Sequence, residues 1–233
     1  MSTRKIPAIS PLFLLLTSTF VTCLILSNII AGKLITVFGI PLPAAVILFP
    51  ITYIFGDILT EVYGFERARL AIWCGFFANL LMAAVFMLTV VLPHPAFWKD
   101  QAAYQTVLGF APRLVLASLL GYWGGEFANS VVLSKMKRLT RGRRLWMRTL
   151  GSTAVGEGID TLVFITIAFW GLMPPPVLGT MILAQYLWKV CYEALATPLT
   201  YWAVNRVKRH EGLDVFDDSV SYNPFSLEVR HEP

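Results

Sequence analysis

Two carboxylates stand one helical turn apart inside an otherwise apolar segment. The stretch FPITYIFGDILTEVYG, residues 49–64, contains Asp57 and Glu61 at positions i and i+4. Residues four apart lie on the same face of a helix. A charged side chain near the centre of a membrane helix costs about 2.5–3.5 kcal/mol on insertion scales, so such residues are candidates for function by default. The spacing predicts an acidic face that turns away from lipid.

Further polar side chains occur at similar depth in other apolar segments. The charged ones are Glu126, Glu157, Asp160, Lys189 and Glu193, and the accompanying amides are Asn28, Asn79, Asn129 and Gln185. Within most of these segments the polar residues recur three or four positions apart, which puts them on one helix face. Because lipid offers no hydrogen bonds, these faces must turn inward. We expect one shared, acid-rich cavity with Asp57, Asp160 and Lys189 at its centre.

Composition places these residues in a membrane protein. The 233 residues are 56% hydrophobic and 14% charged, whereas a soluble domain carries about 25% charged residues; the mean hydropathy is +0.65. Six runs reach the about 20 residues that a membrane-spanning helix needs, near residues 11–32, 43–63, 68–92, 108–133, 150–171 and 177–204. The predicted fold class is therefore all-α: a polytopic six-helix bundle in the lipid bilayer, forming one domain over residues 1–210.

The remaining residues, 211–233, are predicted to form a cytoplasmic tail. It is too short to be a domain, and we expect it to be ordered only if Phe216 and Phe225 dock on the bundle. The outer loop at 93–107 is expected to lie at the membrane interface.

Basic residues concentrate in alternate loops. They are Arg4 and Lys5, then Arg67 and Arg69, then seven residues from Lys135 to Arg148, and finally Arg206, Lys208 and Arg209. Because basic loops stay in the cytoplasm, both termini are predicted to be cytoplasmic. The same distribution accounts for the net charge of +5, and no nucleic-acid partner is predicted. The three cysteines have no metal-ligand spacing, so neither a metal nor another cofactor is predicted.

Two of the acids have a simpler reading as residues near a helix end. Glu61 could pair with Arg67 or Arg69 at the cytoplasmic surface, although Glu61 and Asp57 are also the candidates for proton coupling. Glu126 is expected to turn toward the basic loop that begins at Lys135. Neither assignment is decided by spacing alone.

Local irregularities in the helices accompany the acids. Pro50 is expected to interrupt the second span, and Gly156 to thin the fifth, as broken helices do at transporter sites. Tyr53 lies one turn before Asp57 on the same face, so it is the aromatic residue expected to stack on a planar ligand. The glycines of the fourth span are interpreted as helix packing.

Four segments resemble a known family. They are SNIIAGK at 27–33, FPITYIFGDILTEVYGFERAR at 49–69, GSTAVGEGIDTLVFITIAFWG at 151–171 and QYLWKVCYEALATP at 185–198. Together they resemble the bacterial queuosine-precursor transporters, also called the vitamin uptake transporter family, over nearly the whole chain. The resemblance implies an inner-membrane importer of 7-cyano-7-deazaguanine, with 7-aminomethyl-7-deazaguanine as a second candidate, for queuosine in transfer RNA. It also implies a fold similar to the substrate-binding subunits of energy-coupling-factor transporters.

The implied substrate suggests how the polar residues would bind it. A deazaguanine presents an N1–H and an exocyclic amine, a donor pair that one carboxylate can accept through both oxygens. The implied binding residues are Asp160 or Glu157 for that edge, Asn28, Asn79 or Gln185 for the carbonyl, and Lys189 for charge balance, with Asp57, Tyr53 and Glu193 in the same pocket.

Other functions remain open at this point. The chain could be a binding subunit that works only with a separate energising partner, or a carrier for another planar, vitamin-like molecule. No G-x-x-x-x-G-K-[ST] loop for nucleotide hydrolysis occurs. An intramembrane enzyme is disfavoured, because no G-x-S-G or HExxH motif occurs and all three histidines lie outside the predicted spans. The energy source and a homodimer are also left open.

Overall fold

The computed structural model describes residues 10–31, 33–37, 40–109, 112–172, 174–218 and 220–226. Its helices are α1 (Pro11–Ile30), α2 (Phe49–Tyr63), α3 (Phe65–Val91), α4 (Gln101–Leu108), α5 (Pro112–Leu139), α6 (Leu145–Phe169) and α7 (Pro175–Glu211). A hairpin of β1 (Leu34–Val37) and β2 (Ile40–Pro43) and a 3-10 turn (Ala44–Ile47) precede α2. The described part of the chain is otherwise all-α, as predicted. The orientation residues Arg4 and Lys5 lie outside the described part of the chain.

Four segments of the described chain are long and apolar enough to cross a bilayer. They are α1, α3, the stretch Gln101–Leu139 that contains α5, and α6. The prediction of six spans is therefore confirmed in part. The helix α2 has only 15 residues, about 22 Å at a rise of about 1.5 Å per residue. The helix α7 has 37 residues but carries Lys189 and Glu193 near its middle.

The second predicted span, residues 43–63, differs most from the structure. Its first residue ends a hairpin in which Leu34 pairs with Pro43 and Val37 with Ile40. Pro50 then lies in the first turn of α2, where a missing N–H removes no helix hydrogen bond. The helical part of this span is interrupted between the 3-10 turn, which ends at Ile47, and α2, so Pro50 lies at the start of the second piece and not inside a continuous helix.

The other boundaries follow local chemistry. Ser10 caps α1 by accepting a hydrogen bond from the Phe13 N–H at 3.0 Å. The helix α7 runs beyond the predicted residue 204 to Glu211, where Gly212 adopts a left-handed conformation with φ of 66°. The loop after α3 contains α4, which Tyr104 fastens to Thr89 through a 2.9 Å hydrogen bond.

Several charged side chains lie in the interior, and many large apolar ones face outward. Asp57 and Glu61 are 0% exposed, whereas Leu81 of α3 and Leu195 of α7 are 66% and 82% exposed. A soluble protein shows the opposite arrangement. Such a surface suits lipid, which satisfies apolar atoms and offers no hydrogen bonds. The chain is therefore built as a multi-pass membrane protein, with α2 at its centre in contact with α1, α3, α5 and α7.

The helices α5 and α6 approach each other closely through glycines. A Cβ atom at Gly125 would lie 2.9 Å from the Gly156 carbonyl oxygen, and one at Gly156 would lie 2.8 Å from the Gly125 carbonyl oxygen. A Cβ atom at Gly121 would lie 2.7 Å from Asp160 Oδ1. Small residues of this kind let membrane helices pack backbone to backbone. Gly156 therefore serves helix packing, and its interpretation as the mark of a transport site stays a prediction.

The tail packs against the bundle, as the expectation for Phe216 and Phe225 required. The Phe216 ring lies 4.7 Å from Lys137 Nζ, and the Phe225 ring lies 6.0 Å from Trp73 and 5.8 Å from Trp123. Backbone contacts extend this docking, because the Trp73 indole N–H donates to the Pro224 carbonyl at 2.7 Å.

The start of α3 provides the tail with a second attachment. The backbone N–H of Phe65 donates to both carboxylate oxygens of Asp217, at 3.1 and 3.2 Å. Arg69 donates to the carbonyl oxygens of Ser221 and Asn223 at 3.1 and 3.0 Å. The tail therefore supplies acceptors to a helix N-terminus that lacks a side-chain cap of its own.

Substituting Gly156 by alanine tests the α5–α6 contact. The added methyl would meet backbone atoms of α5, so we expect Gly156→Ala to destabilise the protein by about 1–3 kcal/mol, as overpacking does. The measurement is thermal unfolding of the purified protein in detergent. Gly179→Ala is the matched control, because a Cβ atom there meets nothing within 4 Å. It should be neutral or stabilising by up to about 1 kcal/mol. Equal stability of the two variants would contradict the packing role.

Candidate functional site

An ion pair between α6 and α7 forms the best-defined part of the buried polar layer. Lys189 Nζ lies 2.6 Å from Glu157 Oε2 and 2.5 Å from Asp160 Oδ2. The two acids are three residues apart on α6, so one lysine reaches both. Glu157 is fully buried, and Tyr53 of α2 interacts with it through its hydroxyl. The structure thus brings together Tyr53, Glu157, Asp160 and Lys189.

Asp57 lies in the same layer but has a different partner. Its Oδ1 accepts a hydrogen bond from the Asn129 amide at 3.0 Å. Asn129 belongs to α5, and its Cβ would be 2.8 Å from a Cβ atom at Gly156. Asp57 therefore faces the α5–α6 contact. Its other oxygen, Oδ2, is buried and has no hydrogen-bond partner among the described residues.

Glu126 points into the bundle, and the expectation that it turns toward the loop at Lys135 was wrong. Its Oε2 would lie 3.2 Å from a Cβ atom at Gly56 of α2. The residue is only 3% exposed, and it interacts electrostatically with Glu157, Asp160 and Lys189. Periodicity could have found it, because Glu126 and Asn129 share one helix face, but closeness to the predicted cytoplasmic end favoured the other interpretation.

Glu193 and Gln185, the remaining predicted site residues on α7, differ in their burial and in their interactions. Glu193 is 2% exposed, and it interacts electrostatically with Asp57 and Glu157. Gln185 is half-buried and makes no hydrogen bond within the described part of the chain. Glu193 thus joins the buried acids, whereas nothing attaches Gln185 to them.

Asn28 and Asn79 form a separate group. The Asn28 amide donates to Asn79 Oδ1 at 2.6 Å, and the Ser118 hydroxyl donates to Asn28 Oδ1 at 3.2 Å. These bonds join α1, α3 and α5. Ser118 precedes Gly121, the residue against Asp160, by about one helical turn. The amides are therefore neighbours of the ion-pair layer along α5 but bond to one another.

Glu61 occupies a second, cation-rich cluster nearer the tail. Arg148 binds both of its carboxylate oxygens, at 2.7 and 2.8 Å, and Lys208 Nζ lies 2.6 Å from Oε1. Lys137 donates to the Glu61 carbonyl at 2.6 Å. The predicted partners Arg67 and Arg69 were wrong, since α5, α6 and α7 supply the cations instead. The sequence presented Lys137, Arg148 and Lys208 only as members of basic loops, with no signal of this convergence.

Two carboxylates of the tail, which lie outside the membrane spans, have pKa values shifted in opposite directions. Burial raises the pKa of Asp217, although Ser134 and the Phe65 N–H donate hydrogen bonds to it. Burial also acts to raise the pKa of Asp214, but hydrogen bonds and charge from Lys137 and Lys208 outweigh it and lower that pKa. The stabilisation from Asp214 is therefore present above its unfolded pKa of about 3.9 and is lost as the pH falls through its lower folded value.

An open, mostly apolar groove with a volume of about 310 Å³ lies between α6 and α7. Its lining residues are Gly158, Leu162, Gly179, Ile182, Leu183 and Tyr186, none of which was predicted as a site residue. Among the described residues, no three His, Cys, Asp or Glu side chains have the spacing to hold a metal ion. The shared hollow expected around Asp57, Asp160 and Lys189 stays a prediction, although their helices do converge.

Comparisons with known proteins indicate that the chain is similar to membrane transporters. A family described as "Putative vitamin uptake transporter" matches residues 43–203. The chain is 32% identical over 187 residues to a "Probable queuosine precursor transporter" of Bacillus subtilis, covering 79% of this chain and 81% of that protein. It is 27% identical over 144 residues to the "Queuosine precursor transporter" of Escherichia coli, covering 62% of each.

A third relative, from Haemophilus influenzae, carries the name "Probable queuosine precursor transporter". It is 25% identical over 127 residues, which cover 54% of this chain and 52% of that protein. No solved structure matches the chain. Because the family match runs from the end of the hairpin into α7, and so contains every acid of the buried layer, this chain belongs to the vitamin uptake transporter family, whose members are transporters and not enzymes.

Proposed function

We propose that the protein imports queuosine precursors, 7-cyano-7-deazaguanine and its aminomethyl relative, across the bacterial inner membrane for transfer-RNA modification. Relatives that carry this function in their names support the proposal, one of them over 79% of this chain. The chemistry agrees, because a deazaguanine brings hydrogen-bond donors to a layer that is rich in acceptors.

The proposed topology has six membrane crossings with both termini in the cytoplasm. The basic ends of α5 and α7 and the start of α6 lie together, since Lys137, Arg148 and Lys208 all reach Glu61. By the positive-inside rule, the end of the bundle where basic residues concentrate faces the cytoplasm. The short α2 would cross with help from the 3-10 turn before it, and α7 would bury its charged face against α6.

The observation that carries the binding proposal is the position of Lys189 between Glu157 and Asp160. A carboxylate with an adjacent cation can exchange that partner for the N1–H and amine of a guanine-like edge. Asp160 is the better candidate of the two, because its side chain is 17% exposed and that of Glu157 only 1%. Tyr53, in contact with Glu157, would stack on the ring.

Asp57 is the better of the two candidates for proton coupling. Glu61 is held by two bonds to Arg148 and one to Lys208, so protonating it would break several charged contacts. Asp57 has a neutral partner, Asn129, and one oxygen without a hydrogen bond among the described residues. A proton on Asp57 would cost no ion pair.

Removing either member of the ion pair tests the binding proposal. We expect Asp160→Asn and Lys189→Ala each to lower precursor uptake by at least about tenfold, the scale of one lost charged hydrogen bond. Uptake is measured at native expression in a strain that cannot make the precursor, by the queuosine content of its transfer RNA. Lys99→Ala, in an exposed loop, is the matched control and should transport normally. Normal uptake by both site variants would exclude the pair from the site.

Reconstitution tests the energy source and the need for a partner. Liposomes that contain only the purified chain should accumulate precursor under an inward proton gradient and lose the accumulation when an uncoupler is added. Uptake that ignores the uncoupler would favour facilitated diffusion. No uptake by the chain alone would favour a binding subunit with a separate energising partner.

The same liposomes separate the roles of the two coupling candidates. Asp57→Asn should keep the protein folded and abolish the response to the gradient. Glu61→Gln should instead destabilise it by about 3–5 kcal/mol, because it leaves buried cations without their acid. Thermal unfolding in detergent measures the second effect, and a stable Glu61→Gln variant that loses coupling would reverse the assignment.

A further inference from the structure

The buried carboxylates of the bundle divide by whether they have a cationic partner. Glu61 has Arg148 and Lys208, and the pair Glu157 and Asp160 shares Lys189. These acids are therefore wholly or partly neutralised by the chain itself. They need no further positive charge from outside to remain ionised in the interior.

Three other acids form no ion pair among the described residues. They are Asp57, Glu126 and Glu193, which are 0%, 3% and 2% exposed. Each leaves one buried oxygen without a hydrogen bond: Asp57 Oδ2, Glu126 Oε2 and Glu193 Oε1. A buried polar atom without a partner is costly, and a buried charge more so. These oxygens therefore need hydrogen-bond donors that the described residues do not supply.

The three acids belong to one region, although they come from three helices. Asp57 of α2 interacts electrostatically with Glu193 of α7 and with Glu126 of α5. Glu126 Oε2 lies against Gly56, the residue next to Asp57, at 3.2 Å from the position a Cβ atom would take there. The three do not have the spacing to ligate a metal ion. An organic group with several N–H donors can meet oxygens that are further apart.

We propose that Asp57, Glu126 and Glu193 form a subsite for an ammonium group on the transported molecule, beside the Lys189 ion pair. An ammonium offers three donors and one positive charge, which matches three acceptor oxygens and an excess of negative charge. Glu126, whose Oε2 has no hydrogen bond and which forms no ion pair among the described residues, is the residue that decides between charged and neutral ligands.

The inference rests on the proposed function and sharpens it. The aminomethyl precursor carries a primary amine, which is protonated at neutral pH as a lysine side chain is, with a pKa near 10. The cyano precursor carries an uncharged nitrile at the same ring position. The two ligands therefore differ only in the group that would occupy the subsite.

The experiment measures binding of each precursor to the purified protein in detergent by calorimetry. Glu126→Gln keeps the shape of the side chain and removes its charge. We expect it to weaken the aminomethyl precursor by at least about tenfold, the scale of one charged hydrogen bond, and the cyano precursor by less than about twofold. Glu193→Gln should change the ratio of the two affinities in the same direction, which keeps the test valid if one variant misfolds.

Glu211→Gln is the matched control, because this carboxylate is at the last residue of α7, where the Ser10 hydroxyl donates to it at 3.0 Å and Tyr63 interacts with it. It should leave both affinities unchanged. Equal weakening of the two precursors by Glu126→Gln, or no weakening of either, would overturn the subsite while leaving precursor transport intact. A native protein that binds neither precursor would instead overturn the proposed function, and the subsite with it.

Discussion

Lipid accepts apolar atoms and offers no hydrogen bonds, and this constraint keeps the acids Asp57, Glu61, Glu126, Glu157 and Glu193 buried in the bundle. The result is an interior with two electrostatic levels. Near the tail, Glu61 and Asp214 meet the cations of Lys137, Arg148 and Lys208. Deeper in the bundle, Lys189 alone serves Glu157 and Asp160, while further acids have no ion pair in the described chain. The first level is saturated and holds four helices and the tail together. The second has fewer cations than acids among the described residues, and the proposed ligand site rests on that excess of acids.

The close contact of α5 and α6 decides what that deeper level contains. Because Gly121 and Gly125 have no side chains, Asp160 can lie directly against α5. The same contact places Asn129 beside Gly156, from which it reaches Asp57 on the central helix α2. A larger residue at any of these glycines would push the acids apart. The packing of α5 against α6 therefore determines which side chains meet in the polar layer. That packing depends on the two backbones meeting without side chains between them.

The tail extends the structure beyond the membrane-crossing helices. It supplies Asp217 to the N-terminus of α3 and Asp214 to the lysines of the saturated level. Its aromatic residue Phe225 covers Trp73 and Trp123. A segment that looked like a simple extension thus packs over the basic end of the bundle. The helices it joins, α3, α5 and α7, also contact the central α2.

Much of this protein was determined by its sequence alone. Hydropathy gave the membrane class and most helix positions, and the three- and four-residue spacing of Glu157, Asp160, Lys189 and Glu193 gave the polar faces, because both depend only on helix geometry and the solvent. The tertiary structure decided which faces meet. Glu126 and Glu61 looked alike as acids near a helix end, yet one turned to Gly56 and the other to Arg148 and to Lys208, 147 residues away. The hairpin that shortens α2 could not be predicted either, because its residues border an apolar run that also fits a helix. Periodicity fixes the side of a helix on which a residue stands, but its partner depends on the rotation and depth of neighbouring helices, which packing alone sets.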